Sequence, residues 1–297
     1  MNMKDFAAPI ACIRRGHFCF NQNHEGFLTE LGLDTFDGVW NYSGGHCVKE
    51  LRDRSVYRLD LTFSAGRKTV YLKRHHRGFL GLWGLVPRFF RFSRFLQSKG
   101  RSQGMLEFDN ILEFRQKGLH TVVPIAAGER RMGFFQAESF LLTEDVHPYV
   151  SLESLLKTTP EFFQGAAGAG RKKKLIREIA ALAGKMHAAG FNHQDFNATH
   201  VLLHYKNGAA VPELALFDMQ RVEKNKIFRL RWKIKSLARL NYTLPSPLFT
   251  PADRKNLLLF YKQKTRFNFF DRLEWCWILK KTDRIRRHTK KHRGKKS

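Results

Sequence analysis

Cysteine is sparse in this 297-residue chain, and Cys12, Cys19, Cys47 and Cys276 include no pair at C-x-x-C spacing. That scatter excludes a disulfide framework and a zinc ribbon, and it fits reduced thiols in a cytoplasmic compartment. Long apolar runs are missing as well. The longest, FLGLWGLV at 79–86, is far below the ~20 residues that span a bilayer. The opening MNMKDFAAPIACIRRGHFCF lacks the apolar stretch of a signal peptide, so a soluble or surface-bound protein is expected. Acidic residues are few, 26 Asp+Glu against 53 Lys+Arg, for a net charge of +27 and a pI near 10.3. Such a balance implies an acidic partner: nucleic acid, an anionic membrane face or a phosphorylated substrate. No helix-turn-helix, zinc finger or aromatic RNA-binding strand is evident, which disfavours nucleic acid. No internal repeat and no G-x-G-x-x-G stand out either.

What the chain does have is apolar mass: 43% hydrophobic residues and 13% aromatic, 27 of them Phe. That is enough for one large domain or two lobes. Residues 1–40 show no clear period and read as a loose N-terminal extension. GHCVKELRDRSVYRLDLTFSAGRKTVYLKRH then breaks at Arg52-Asp53-Arg54 and at Ser64-Ala65-Gly66 into strands at 45–51, 55–63 and 69–74. Met105, Phe108, Ile111, Leu112 and Phe114 predict a helix over 104–117 that ends at Gly118. TVVPIAA (121–127) and FFQAESFLLTEDV (134–146) complete a five-stranded sheet, and short connections favour antiparallel pairing. The character changes after Val146. SLESLL begins a helix with a Ser cap, QGAAGAG (164–170) reads as a flexible loop, and Leu175, Ile179, Leu182 and Met186 mark a strong amphipathic helix over 171–190. Residues 225–281 look helical and basic, and RIRRHTKKHRGKKS reads as a solvated tail.

Directly after the strong helix comes FNHQDFNATHVLL (191–203). Alone, its Asp195 is a common turn residue; the order of other groups along the chain gives it chemical meaning. Phosphoryl transfer needs a cation on the nucleotide phosphates, a carboxylate to hold that cation, metal ligands, and a group to orient the incoming hydroxyl. Lys73 lies in an apolar strand, with Arg74 beside it as a competitor for the same role. Glu107 lies on the helix before the fourth strand, with Asp109 and Glu113 as alternatives. Asp195 sits in the turn after the long helix. His200 and Asp218 could ligate Mg²⁺. His193 reads as a structural histidine bonding backbone near Asp218, and His187 as a packing or surface residue.

This ordered set, from about residue 45 to 222, resembles the protein-kinase-like superfamily and, within it, the lipopolysaccharide kinases. GKMHAAGFNHQDFNATHVLL is similar to their H-x-D-(F/Y)-x-x-x-H-(aliphatic) segment, and ESFLLTEDV with SLESLL is similar to their hinge and following helix. RDRSVYRLDL with TVYLKRH is similar to their first hairpin and lysine strand. The resemblance implies an α+β, bilobal, protein-kinase-like fold, with a five-stranded antiparallel N-lobe sheet and a mostly helical C-lobe. The expected boundaries are 1–40 extension, 41–146 N-lobe with a basic aromatic insert at 77–103, 147–281 C-lobe and 282–297 basic tail. It also implies roles: Lys73 on the ATP phosphates, Glu107 orienting Lys73, backbone near Glu144 to Val146 on the adenine, Asp195 as base, and His200 and Asp218 on Mg²⁺. His200 is a soft ligand for that ion and could instead hold Asp195 or Asp218 in place.

Three departures set the chain apart from better-known kinases. No glycine-rich loop covers the phosphates, Gln194 stands in place of Arg in the H-R-D motif, and Met219-Gln220 stands in place of Phe-Gly. The implied activity is ATP-dependent phosphorylation of a lipopolysaccharide inner-core sugar, with heptose as the expected acceptor, at the cytoplasmic face of the inner membrane of a Gram-negative bacterium. Arginines interleaved with aromatics in FLGLWGLVPRFFRFSRFL suit an anionic leaflet. Other acceptors, such as Kdo or a small molecule, and a non-catalytic pseudokinase or basic adaptor are the alternative readings.

Overall fold

Leu59 and Leu61 alternate with polar residues in one strand, and Val70 and Leu72 do so in the next; all four are buried. Alternation of this kind puts one face of a sheet into a core. The computed structural model describes residues 9–79, 101–133, 136–206, 209–224, 229–246 and 248–293. It divides the chain into two units, one reaching to Val146 and including Asp218–Gln220, the other beginning at His147.

The first unit runs β1 (Cys12–Arg15), β2 (Phe18–Asn21), α1 (Glu25–Glu30), α2 (Phe36–Trp40), β3 (His46–Leu51), β4 (Arg54–Phe63), β5 (Gly66–Phe79), α3 (Gln103–Gln116), β6 (Pro124–Arg131) and β7 (Gln136–Glu144). Its antiparallel sheet has seven strands, ordered β1-β2-β6-β7-β5-β4-β3. The sequence leads to five; the extra two correct the reading of 1–40 as loose. Phe18 and Phe20 on β2, Phe27 and Leu28 on α1, Leu33 and Val39 all enter the core with Phe140 and Leu142. No period shows there because each element is four to six residues long, too short to display one. The aromatic–arginine insert expected at 77–103 lies, over 80–100, outside the described residues.

The second unit contains β8 (Val150–Ser151), α4 (Leu152–Thr158), α5 (Gly165–Ala188), β9 (Phe191–His193), β10 (Val201–His204), β11 (Glu213–Leu216), β12 (Val222–Lys224), α6 (Arg229–Thr243), α7 (Pro251–Tyr261) and α8 (Phe269–Arg293). The small strands form a β11-β10-β8 sheet and a β12-β9 pair. Leu175, Ile176, Ile179, Ala183 and Met186 bury one stripe of α5. The flexible loop expected at 164–170 is instead the first turn and a half of α5. Gly168 makes this possible: a Cβ there would stand 2.4 Å from the Phe163 carbonyl carbon, so only glycine lets the helix start so close to that backbone. Residues from 282 onward, read as tail, continue α8 to Arg293, because Ile278 and Thr282 anchor its inner face.

Candidate active site

Along β5, Val70 and Leu72 face the core, so the strand's alternation turns Lys73 to the other side. There its ammonium lies 2.8 and 3.0 Å from the two Glu107 oxygens and 3.0 Å from Asp218 Oδ1. The alternatives left open by the sequence separate geometrically. Arg74 donates to the carbonyls of Val39 and Tyr42 and lies over the Tyr57 ring. Asp109 pairs with Arg14 and Arg101, and Glu113 is exposed.

α3 carries Glu107 to Lys73 because its first turn lies directly on β7. A Cβ on Gly104 would stand 2.5 Å from the Phe140 carbonyl oxygen, and the Gly104 amide donates to Ser139 Oγ at 3.2 Å. Asp218 adopts a left-handed backbone, φ 59°. The residues after it are tied into the same unit: Asn110 Nδ2 donates to the Met219 carbonyl at 2.9 Å, and Gln220 bonds Gln103 at 2.7 Å and Arg54 at 3.2 Å. Burial opposes the charge on Lys73, but the Glu107 and Asp218 carboxylates outweigh it and hold its pKa above the ordinary lysine value. The ammonium therefore stays protonated at any physiological pH.

The loop at 191–203 is a second, separately built cluster. His193 Nε2 lies 3.0 Å from the carbonyl of Phe217, the residue before Asp218, and its Nδ1 accepts the Asp195 amide at 3.1 Å. Those two bonds fix one neutral tautomer, with the proton on Nε2. The ring is structural, as the sequence reading has it. Asn197 Oδ1 accepts the amides of Thr199 and His200, closing the turn with an Asx motif. His200 Nδ1 lies 2.9 Å from the Asp195 carbonyl, so this nitrogen donates to the loop backbone. The Asp195 carboxylate meets Arg221 Nη1 at 2.8 and 3.0 Å and pairs with Arg239, which also donates to the Gln194 carbonyl.

Glu144 and Val146, expected to offer backbone groups to adenine, stand at the end of β7. The amides of Glu144 and Asp145 are committed to the sheet, donating to Val123 at 2.9 Å and Thr69 at 3.1 Å. The Glu144 carboxylate lies 2.8 Å from both His24 and Lys68. Burial works to raise its pKa, but those two hydrogen bonds prevail and draw it down to about 2. Among the described residues, no three His, Cys, Asp or Glu side chains gather as a metal cage. Mg²⁺ does not require one, since it is normally held by one or two carboxylates together with substrate phosphates. Asp218, a hard oxygen donor beside the phosphate-binding candidate Lys73, fits that pattern; His200 fits it poorly.

Sequence reasoning missed Arg221, Arg239 and Asn110. No spacing rule links Arg239 to an aspartate 44 residues earlier. The one signal present was the basic character of 225–281.

A buried Lys–Glu pair on an antiparallel sheet and its helix, followed by a helical unit carrying an H-x-D turn, defines the protein-kinase-like class. A solved structure of WaaP in complex with acyl carrier protein has this fold, with a TM-score of 0.64, 24% identity, and coverage of 88% of this chain and 97% of that one. The chain belongs to the lipopolysaccharide kinase (Kdo/WaaP) family, whose sequence model matches residues 40–261. Relatives include the lipopolysaccharide core heptose(I) kinase WaaP of Pseudomonas aeruginosa, 28% identical over 77% of this chain and 81% of that protein. The Escherichia coli K12 protein of the same description is 30% identical over 71% and 75%. The 3-deoxy-D-manno-octulosonic acid kinase of Vibrio parahaemolyticus is 32% identical over 57% and 61%.

Proposed function

We propose that the protein is an ATP-dependent kinase that phosphorylates a sugar hydroxyl of the lipopolysaccharide core, with heptose as the acceptor. The observation that carries this reading is the largely buried Lys73 ammonium held between Glu107 and Asp218. Lys73 binds the nucleotide phosphates, and Glu107 fixes its direction. Asp195 orients the acceptor hydroxyl and takes its proton as the oxygen attacks the γ-phosphorus and the bond to ADP breaks. Asp218 would hold Mg²⁺, which when bound neutralises charge on the phosphates. His200, given a metal role by the resemblance, is better supported as a positioning residue by its bond to the Asp195 carbonyl. Adenine contact falls to the backbone at Val146, because the preceding two amides serve the sheet.

Heptose is favoured because relatives described as heptose(I) kinases match 71–77% of the chain at 28–30% identity. An octulosonic acid acceptor is the second reading, supported by the Vibrio relative, which is more identical over a shorter span. Purified protein should transfer phosphate from ATP to core glycolipid, and Asp195→Ala should lower kcat by about 10³ while the protein stays folded. Full activity in that variant ends the proposal.

We also propose that the enzyme works on an anionic membrane surface at the cytoplasmic face. α8 exposes Phe269, Phe270, Leu273 and Trp277, next to the exposed Arg272 and Lys280, a combination suited to an interfacial helix. No helix among the described residues is long and apolar enough to cross a membrane. The protein should sediment with vesicles containing anionic lipid, and Phe270→Ser with Trp277→Ser should weaken this at least several-fold. Equal sedimentation of the variant would assign the binding elsewhere.

A further inference from the structure

One group of side chains beside Asp195 is unused by the phosphoryl-transfer reading. Arg231, Lys235 and Arg239 are spaced i, i+4, i+8 on α6, so they share a face and extend over about 12 Å. α8 packs against α6: Thr282 Oγ1 donates to the Ala238 carbonyl at 3.3 Å and accepts from Asn241 Nδ2 at 3.0 Å. This places Lys281, the neighbour of Thr282, and Arg284 one turn on next to that face. The electrostatics bear out the proximity. Burial lowers the pKa of Lys235, and Arg239, Lys281 and Arg221 lower it further, against Glu223. Burial also lowers Lys281, joined by Arg284, Arg231 and Arg239.

The row therefore ends at Arg239 on Asp195 with six cations, counting Arg221, in mutual influence. Asp195 pairs with Arg221 and Arg239, and Glu223 acts on Lys235. Lys235, Arg239 and Lys281 are partly buried, with Arg221, Arg231 and Arg284 exposed around them, and holding partly buried like charges together raises the free energy of the folded protein. An arrangement of that kind is relieved by an anion, and planar guanidinium groups suit carboxylate and phosphate oxygens.

We propose that Arg231, Lys235 and Arg239 on α6, with Lys281 and Arg284 on α8, form a subsite for an anionic group of the acceptor glycan, next to the reacting hydroxyl. The inference rests on the kinase reading and names what lies beside the phosphorylated sugar: a residue bearing a carboxylate or a phosphate. Arg239 links the two functions, since it grips both the Asp195 carboxylate and the Gln194 carbonyl. An anion on the row would share that guanidinium and loosen its hold on Asp195 as the acceptor arrives. Acceptor binding and release of the base then become one event.

The test separates binding from turnover. Deacylated core oligosaccharide is titrated calorimetrically into wild type and into Lys235→Gln/Lys281→Gln, neither of which touches Asp195. Binding should weaken tenfold or more in the variant. With carboxyl-reduced oligosaccharide, or with phosphatase-treated oligosaccharide, one of the two probes should bind wild type and variant alike, which identifies the anion. Kinetics on intact glycolipid should show a raised acceptor KM, with kcat and the ATP KM within twofold. Equal binding of native oligosaccharide by wild type and variant, or no binding by wild type, overturns the subsite. A shift confined to the ATP KM would reassign the row to nucleotide and overturn it too. An inactive wild type that still binds oligosaccharide through these lysines would refute the kinase reading and leave the subsite standing.

Discussion

Lys73 illustrates how a single buried charge organises a site. Its ammonium is removed from most solvent, and only the two carboxylates at 2.8 and 3.0 Å make that tolerable. Whatever positions those carboxylates therefore matters as much as the lysine. Asn110, itself buried, does so for Asp218 by donating to the next carbonyl, Met219. Asn110→Ala leaves that buried carbonyl without this donor, at a cost of about 1–3 kcal/mol. The expected outcome is a lower urea midpoint together with a reduced kcat at saturating ATP, measured on the same preparation. An unchanged midpoint would show that Met219 does not depend on Asn110.

At the scale of elements, the decisive device is the seating of α3 on β7. Gly104 brings helix and strand backbones together where no Cβ fits. Gly104→Ala must push the helix outward, an overpacking change that costs about 1–3 kcal/mol. Glu107, one turn along, would move with it. The expected result is a lower melting temperature and a several-fold rise in the ATP KM, read by calorimetry and steady-state kinetics. A wild-type KM would show that Glu107 holds Lys73 without this seating. α5 starts early by the same device, with Gly168 against Phe163. A seven-letter stretch with three glycines suggests mobility only until its neighbour is known.

For the whole molecule, acid sensitivity should begin well above the carboxylate range. His75 is pushed down to about 3, by burial first and then by Lys73 and Arg54. His187 reaches about 3 by burial and Lys233. In the unfolded chain each takes a proton near pH 6.5. Between about pH 6.5 and 3 the unfolded state thus binds more protons, and stability falls as pH drops through that window. The slope approaches about 1.4 kcal/mol per pH unit for each histidine. Glu144, drawn down to about 2, has the opposite dependence for its charge but the same consequence: its contribution is complete above about pH 4.5 and lost below. Urea melts at pH 7.5, 6.5 and 5.5 should show a falling midpoint. A flat profile would mean that neither histidine is neutral and buried in solution.

The sequence alone determined the elements whose information is local. Lys73 in an alternating strand, the 3.6-residue stripe of α5 and the order of Lys73, Glu107, Asp195 and Asp218 are all read from near neighbours or from succession along the chain. His193 as a structural residue followed from its place in the turn. Tertiary structure alone decided whatever depends on pairing across long separations. The β1–β2 hairpin gains its place only by pairing with β6, with Phe18 opposite Gly128 and Phe20 opposite Ala126, and its four-residue strands carry no period to announce it. The choice of Glu107 over Asp109 and Glu113 depended on which helix face meets β5. Arg239 is brought to Asp195 by the packing of α6, and Arg221 by the backbone bond between its carbonyl and the Gln194 amide. Side-chain direction and charge neighbourhood are set by which elements pack together, and packing is a property of the whole chain rather than of any stretch of it.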